Sequence, residues 1–154
     1  MTPDRIKTAA RFLSIASLQI AILATLPLDA ARAEDAASLT VSFTGIQTPD
    51  GYLMVGLYDS EESFNARAAV RGVRVPVAGA EAAASIPDLK PGRYGIMAFH
   101  DLDGDGTMAT NPFGMPAEPY AASNNAPSMM GPPTWNDAAF EVTAGSNVQT
   151  ITIE

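Results

Sequence analysis

The chain has 154 residues, nine basic and seventeen acidic side chains for a net charge of −8, and no cysteine. That length suits one domain, and the acidity argues against nucleic acid and anionic membrane surfaces, which need a basic footprint. The missing thiols exclude disulfides, a thiol nucleophile, a lipid-modified cysteine and a cysteine-based zinc site, and one histidine leaves too few ligands for other zinc centres.

Arg5, Lys7 and Arg11 form a basic region ahead of a largely apolar run from Phe12 to Leu28. Ala31-Arg32-Ala33 then supplies the small-x-small pattern that precedes signal cleavage. The run is interrupted by Ser14, Ser17, Gln19 and Thr25 and is short for a spanning helix. Residues 1–33 are expected to be a cleaved signal peptide, so that a mature chain starting at Glu34 is periplasmic or extracellular; a retained signal anchor is the alternative. No later stretch is apolar enough to span a membrane. Residues 34–154 keep five basic and fifteen acidic groups, a net charge of −10.

From Leu39 the period is two. Leu39, Val41 and Phe43 alternate with Thr40, Ser42 and Thr44, as in a strand with one buried face. Pro49-Asp50-Gly51 marks a turn. Leu53, Val55 and Leu57 then alternate with Tyr52, Met54, Gly56 and Tyr58, a second strand expected to pair with the first as a hairpin. The polar stretch Asp59–Ala69, anchored by Phe64, predicts a short helical turn capped by Ser60, or a loop. Val73, Val75 and Val77 predict a third strand, at a sheet edge where Pro76 is tolerated. Ala83–Leu89 is a weaker fourth. Arg93–His100, apolar on both faces, reads as a central strand that delivers an acidic loop at its end. Ala139–Thr143 and Val148–Ile153 are the last two.

About seven short strands, with no convincing helix after residue 33, predict an all-β domain over 34–154. An antiparallel β-sandwich, immunoglobulin-like or transthyretin-like, fits the pattern. A long loop at one end, residues 101–135, exceeds an ordinary hairpin connection and is expected to be ordered and functional.

That loop opens HDLDGDG. Asp101, Asp103 and Asp105 crowd three like charges into five residues, with Gly104 and Gly106 between and after them. Hard divalent cations suit such a cluster, because Ca²⁺ takes about six to eight oxygen ligands from glycine-broken loops. The run matches the first half of an EF-hand loop. The second half does not follow, since Pro112 stands where the bidentate glutamate would be and Ala109 at the ninth position. A Ca²⁺ site would therefore use Asp101, Asp103, Asp105, the Thr107 carbonyl, and Asn111 or Glu118 as distal ligands. Alternating Asp and Gly also builds tight turns with no ion at all.

His100 reads as a strand-end residue satisfied by backbone. Asp101 with Glu118 would be the acid–base pair of an envelope carbohydrate hydrolase. Met108, Met115, Met129 and Met130 would be soft ligands for copper in a periplasmic copper-handling protein, although methionine equally fills gaps in packing. Ser123-Asn124-Asn125 offers either a recognition surface or turn chemistry. The leading expectation is an exported, non-enzymatic domain with no catalytic residues, whose Ca²⁺ loop orders a surface for an envelope or extracellular protein or glycan.

The motif set His100, Asp101, Asp103, Asp105, Gly106, then Asn111, Gly114, Pro116, Glu118, then Ser123-Asn124-Asn125, Gly131-Pro132-Pro133 and Ala138-x-Phe140 resembles a bacterial family. It is a family of small exported proteins catalogued as domain of unknown function 2141. The resemblance covers Leu39–Ile153 and implies the fold and export, with no activity attached. The family often carries Asn at the positions of Asp103 and Asp105 and Asp at that of Ala109. The first departure adds charge to the loop; the second removes an oxygen donor.

Overall fold

The computed structural model describes residues 36–128 and 131–153. The expected signal segment 1–33, the new terminus at Glu34, and Met129 and Met130 lie outside these. Eight strands and three short helical pieces follow one another: β1 (Ala37–Thr44), β2 (Tyr52–Tyr58), α1 (Glu61–Asn65), β3 (Arg71–Pro76), β4 (Ala82–Leu89), β5 (Gly92–Asp101), β6 (Tyr120–Ala122), a 3₁₀ turn (Ser123–Asn125), α2 (Trp135–Ala138), β7 (Phe140–Val142) and β8 (Gly145–Thr152). The class is all-β, as the alternating pattern requires. Among the described residues no helix is long and apolar enough to cross a membrane.

The strands form two sheets. The smaller runs β4-β1-β8, and the larger runs β3-β2-β5-β6, with β7 also pairing β5. β6 lies opposite Met97–Phe99 and β7 opposite Gly92–Tyr94, so the two short strands divide one edge of β5 between them. β5 is thus central and β3, with Pro76, is an edge, as expected.

Three expectations need correction. β1 and β2 do not form a hairpin: β1 pairs with β4 and β8, and β2 with β3 and β5. Each strand buries a full aliphatic face, and residues 45–51 carry the chain from one sheet to the other so that these faces meet across the core. The strand pairing is also not purely antiparallel. β8 returns beside β1 in parallel, in register from Ala37↔Gly145 to Thr44↔Thr152. Finally, the 101–135 segment is not all loop, since it contains β6 and the 3₁₀ turn.

Both sheets supply one core. Leu39, Val41 and Phe43 from β1 meet Leu53 and Leu57 from β2, and Ile96 from β5, all fully buried. Burial of each such side chain contributes about 1.5–3 kcal/mol. A satellite core forms on the outer face of the larger sheet. Ser60 caps α1 in a reciprocal box with Ser63, and this turn presents Phe64 edge-on between Tyr58 (5.3 Å) and Trp135 (5.6 Å). The aromatic stack sits over Gly95, where a Cβ would come within 2.9 Å of Trp135. Absence of a side chain there lets both helices lie against the sheet.

Candidate metal centre and sheet groove

β5 ends at Asp101, and the turn that follows is built from its own carboxylates. Asp101 is fully buried. Its Oδ1 accepts from the Gly104 amide (2.8 Å) and its Oδ2 from the Gly106 amide (3.0 Å). Gly104 and Gly106 adopt φ of +79° and +81°, the left-handed region that side chains with a Cβ disfavour. Asp103 Oδ1 accepts from the Asp105 amide, and Asp105 Oδ1 accepts from both the amide and the hydroxyl of Thr107 (2.7 Å each). These Thr107 bonds, the hydroxyl first, hold the exposed Asp105 carboxyl below its ordinary pKa.

Asp101, Asp103 and Asp105 each present an oxygen, and all three lie within 4.8 Å of one another. Arg74 braces the turn from β3. Its guanidinium stacks 3.6 Å over the Tyr52 ring, donates to the Gly104 carbonyl (3.1 Å) and stands 3.9 Å from Asp101 Oδ2. Gly51 packs against the same residue, since a Cβ there would run into the Asp101 carbonyl oxygen. His100 is buried on the inner face, where Nε2–H donates to the Asp50 carbonyl (2.7 Å). It is the strand-end residue its position suggested.

The structure brings three of the six expected ligands together, keeps Thr107 beside them, and gives the other two separate duties. Glu118 is buried and bridges the loop: Oε1 accepts from the Leu102 amide (2.9 Å) and Oε2 from the Ala109 amide (3.0 Å). Asn111 Oδ1 accepts from the amides of Phe113 and Met115. It thereby shapes a small hairpin, closed by a Thr110↔Pro116 bridge and by Asn111 N–H donating to the Met115 carbonyl. Phe113 stands at the tip, 90% exposed.

In the Ser123-Asn124-Asn125 turn Ser123 faces inward, while Asn124 and Asn125 are exposed. The buried Ser123 hydroxyl donates to the Ala138 carbonyl and accepts from the Ile96 amide. Asn124, at φ +60°, donates to the carbonyls of Asp137 and Ala139, and Asn125 accepts from the Thr152 amide. These bonds tie β6 to α2 and β8, which is turn chemistry.

Beyond the turn, residues 108–116 and 131–133 stand over the outer face of the larger sheet, not over one end of the fold. They enclose with that face an open groove of about 1100 Å³. Met54, Met97 and Phe99 form its floor, Met108 and Met115 part of its roof. The sequence pattern held a signal for this. The outward positions of β2 and β5 carry methionine, glycine and aromatics where a solvated face carries polar residues.

These features define a class: a two-sheet β protein with a self-bonded aspartate turn beside an apolar groove on the larger sheet. Residues 41–151 match a family described as an uncharacterized protein conserved in bacteria (DUF2141). The chain belongs to that family. No curated protein and no solved structure matches it.

Proposed function

We propose that this chain is an exported, non-enzymatic β-sandwich binding module of immunoglobulin-like or transthyretin-like kind, in which the aspartate turn takes Ca²⁺ and steadies the loop over the sheet. The observation that carries the reading is the convergence of three carboxylates within 4.8 Å, two of them exposed. Like charges at that spacing repel, and a hard cation converts the repulsion into attraction. Asp101, Asp103 and Asp105 would hold the ion with the Thr107 carbonyl. Water completes the shell, and Asn111 and Glu118 contribute only through lone pairs their backbone bonds leave over. Export rests on the basic, apolar and Ala31-Arg32-Ala33 succession at the N-terminus. Asp101 and Glu118 favour a bracing role over hydrolysis, because all four of their oxygens already accept from backbone amides.

Thermal melting with and without calcium tests the ion. An ion bound only to the native state stabilises it by RT ln(1 + [L]/Kd). With Kd near 10⁻⁴–10⁻³ M, typical of extracellular modules, about 10 mM Ca²⁺ adds roughly 1.4–2.7 kcal/mol. That raises Tm by several degrees. Asp103→Ala removes most of the rise, and Mg²⁺ produces less of it because it dehydrates reluctantly. Equal melting in calcium and in chelator, for wild type and variant alike, would leave the turn held by its own hydrogen bonds and end the calcium reading.

A further inference from the structure

We propose that the groove on the outer face of the larger sheet binds a single-chain amphiphilic anion of the medium-chain carboxylate type, its tail on the methionine and aromatic floor and its head on Arg67. The inference deepens the binding-module reading and is independent of the ion.

The strand register builds the floor. Arg74, Met54, Phe99 and Tyr120 lie side by side in one row across four strands. The neighbouring row is Gly72, Gly56, Met97 and Ala122. Gly72 opens the floor into a trough, bounded by the Tyr58 ring where it covers Gly56. At about 4.8 Å per strand each row is roughly 14 Å across. The groove's volume of about 1100 Å³ is just above the usual span of small-molecule sites, about 300–1,000 Å³. Methionine suits the purpose, since its unbranched thioether adapts to a flexible tail.

Charge selects the head. The chain holds seventeen acidic and nine basic side chains, yet the groove lining includes two arginines and no carboxylate. A cationic amphiphile finds no counter-charge there. Arg74 is engaged by Tyr52, the Gly104 carbonyl and Asp101. Arg67 is exposed, and its side chain's one hydrogen-bond contact among the described residues is a thioether, with Nη1 at 3.6 Å from Met97 Sδ. Among the described residues no carboxylate lies within ion-pair distance of it. Tyr58 adds a second donor at the same end of the groove. Its hydroxyl reaches back over Gly56 and has no hydrogen-bond partner among the described residues. Burial pushes this phenol up more than Arg67 pulls it down, so it keeps its proton at neutral pH. A carboxylate head between Arg67 and Tyr58 would gain charge-assisted bonds from both. A free amphiphile fits better than an anionic bilayer, which the excess negative charge of the chain repels.

Calorimetry with dodecanoate below its micelle concentration, in chelator, tests this. Dodecanoate binds saturably, one per chain, and dodecyltrimethylammonium does not. Arg67→Gln weakens dodecanoate about tenfold, the scale of a lost charge-assisted bond, and leaves dodecanol binding unchanged. Gly72→Trp abolishes both at an unchanged melting temperature, because a Cβ at Gly72 meets nothing within 4 Å and the new ring fills the trough. Should Gly72→Trp fail to fold, the dodecanoate-to-dodecanol contrast in Arg67→Gln decides alone. The inference is overturned by no binding, by equal binding of the cationic amphiphile, by full binding to a folded Gly72→Trp, or by binding to phosphatidylglycerol vesicles alone. Dodecanoate binding without a calcium-dependent rise in melting sinks the ion only; the reverse result sinks the ligand only.

Discussion

The two faces of the larger sheet share one backbone and differ in almost everything their side chains do. Inward, Leu53, Val55, Leu57, Ile96 and Ala98 are at most 3% exposed and lock into the opposite sheet. Outward, alternate residues of the same strands include Met54, Gly56, Met97 and Phe99, which meet a loop across open space. Branched aliphatics hold few rotamers and specify one packing; methionine and glycine specify little. An antiparallel sheet with one solvated face would carry polar residues outward. This one keeps apolar side chains there and covers them with a loop that carries its own hydrogen bonds. The inner face holds the main core, and the outer face is part satellite core and part open groove.

Truncation separates the two faces most sharply. Phe43, fully buried in the shared core, should cost about 3–5 kcal/mol when changed to alanine. Phe113, 90% exposed at the hairpin tip, should cost within about 0.5 kcal/mol for the same change. Urea unfolding measures both. A comparable loss from Phe113→Ala would mean that the hairpin packs as part of the core, and the comparison would break.

Glu118 lies at the border, and its effect should be intermediate. Its two oxygens hold the Leu102 and Ala109 amides, so the carboxylate closes the loop over the end of β5. Glu118→Gln leaves one oxygen to accept and turns an NH₂ group towards the other amide. The expected loss is about 1–3 kcal/mol. Hydrogen exchange should show it locally, as faster exchange at Leu102 and Ala109 with the amides of β1 unaffected. Uniform acceleration across both sheets would place Glu118 in the core's cooperative unit instead.

The inner face was legible in sequence because burial imposes a period of two that residues such as Leu39, Val41 and Phe43 display directly. Ser60 likewise announced α1. Alternation states which side chains face inward but not which strand lies alongside, and so the β1–β2 hairpin was a natural error and the parallel β1–β8 pair invisible. β6 has three residues, Tyr120–Ala122, too few for any period. At the site, local spacing brought Asp101, Asp103 and Asp105 together, since five residues leave little freedom. Residue type alone makes Asn111 and Glu118 candidate ligands. Their oxygens go to amides whose positions depend on the whole loop, which spacing does not encode. Arg67 and Arg74 come from other elements altogether.

The smallest expected effect bears on whether the aspartate turn is built before any ion arrives. Asp105 owes its lowered pKa first to the Thr107 hydroxyl and then to the Thr107 amide. A carboxyl whose folded pKa is depressed favours the native state above its ordinary value of 3.8 and loses that contribution as pH falls through the lower, folded value. The group is fully exposed, so its titration, rather than global stability, is the quantity to read. Thr107→Val deletes the hydroxyl and keeps the amide. The Asp105 pKa, followed by carboxyl ¹³C shifts in chelator, should therefore move up towards 3.8 without reaching it. A wild-type Asp105 that titrates at its ordinary value without calcium would show that the turn does not hold these bonds unaided. The ion would then build the loop, and the contrast between a finished core and an independently finished outer loop would fail at that point.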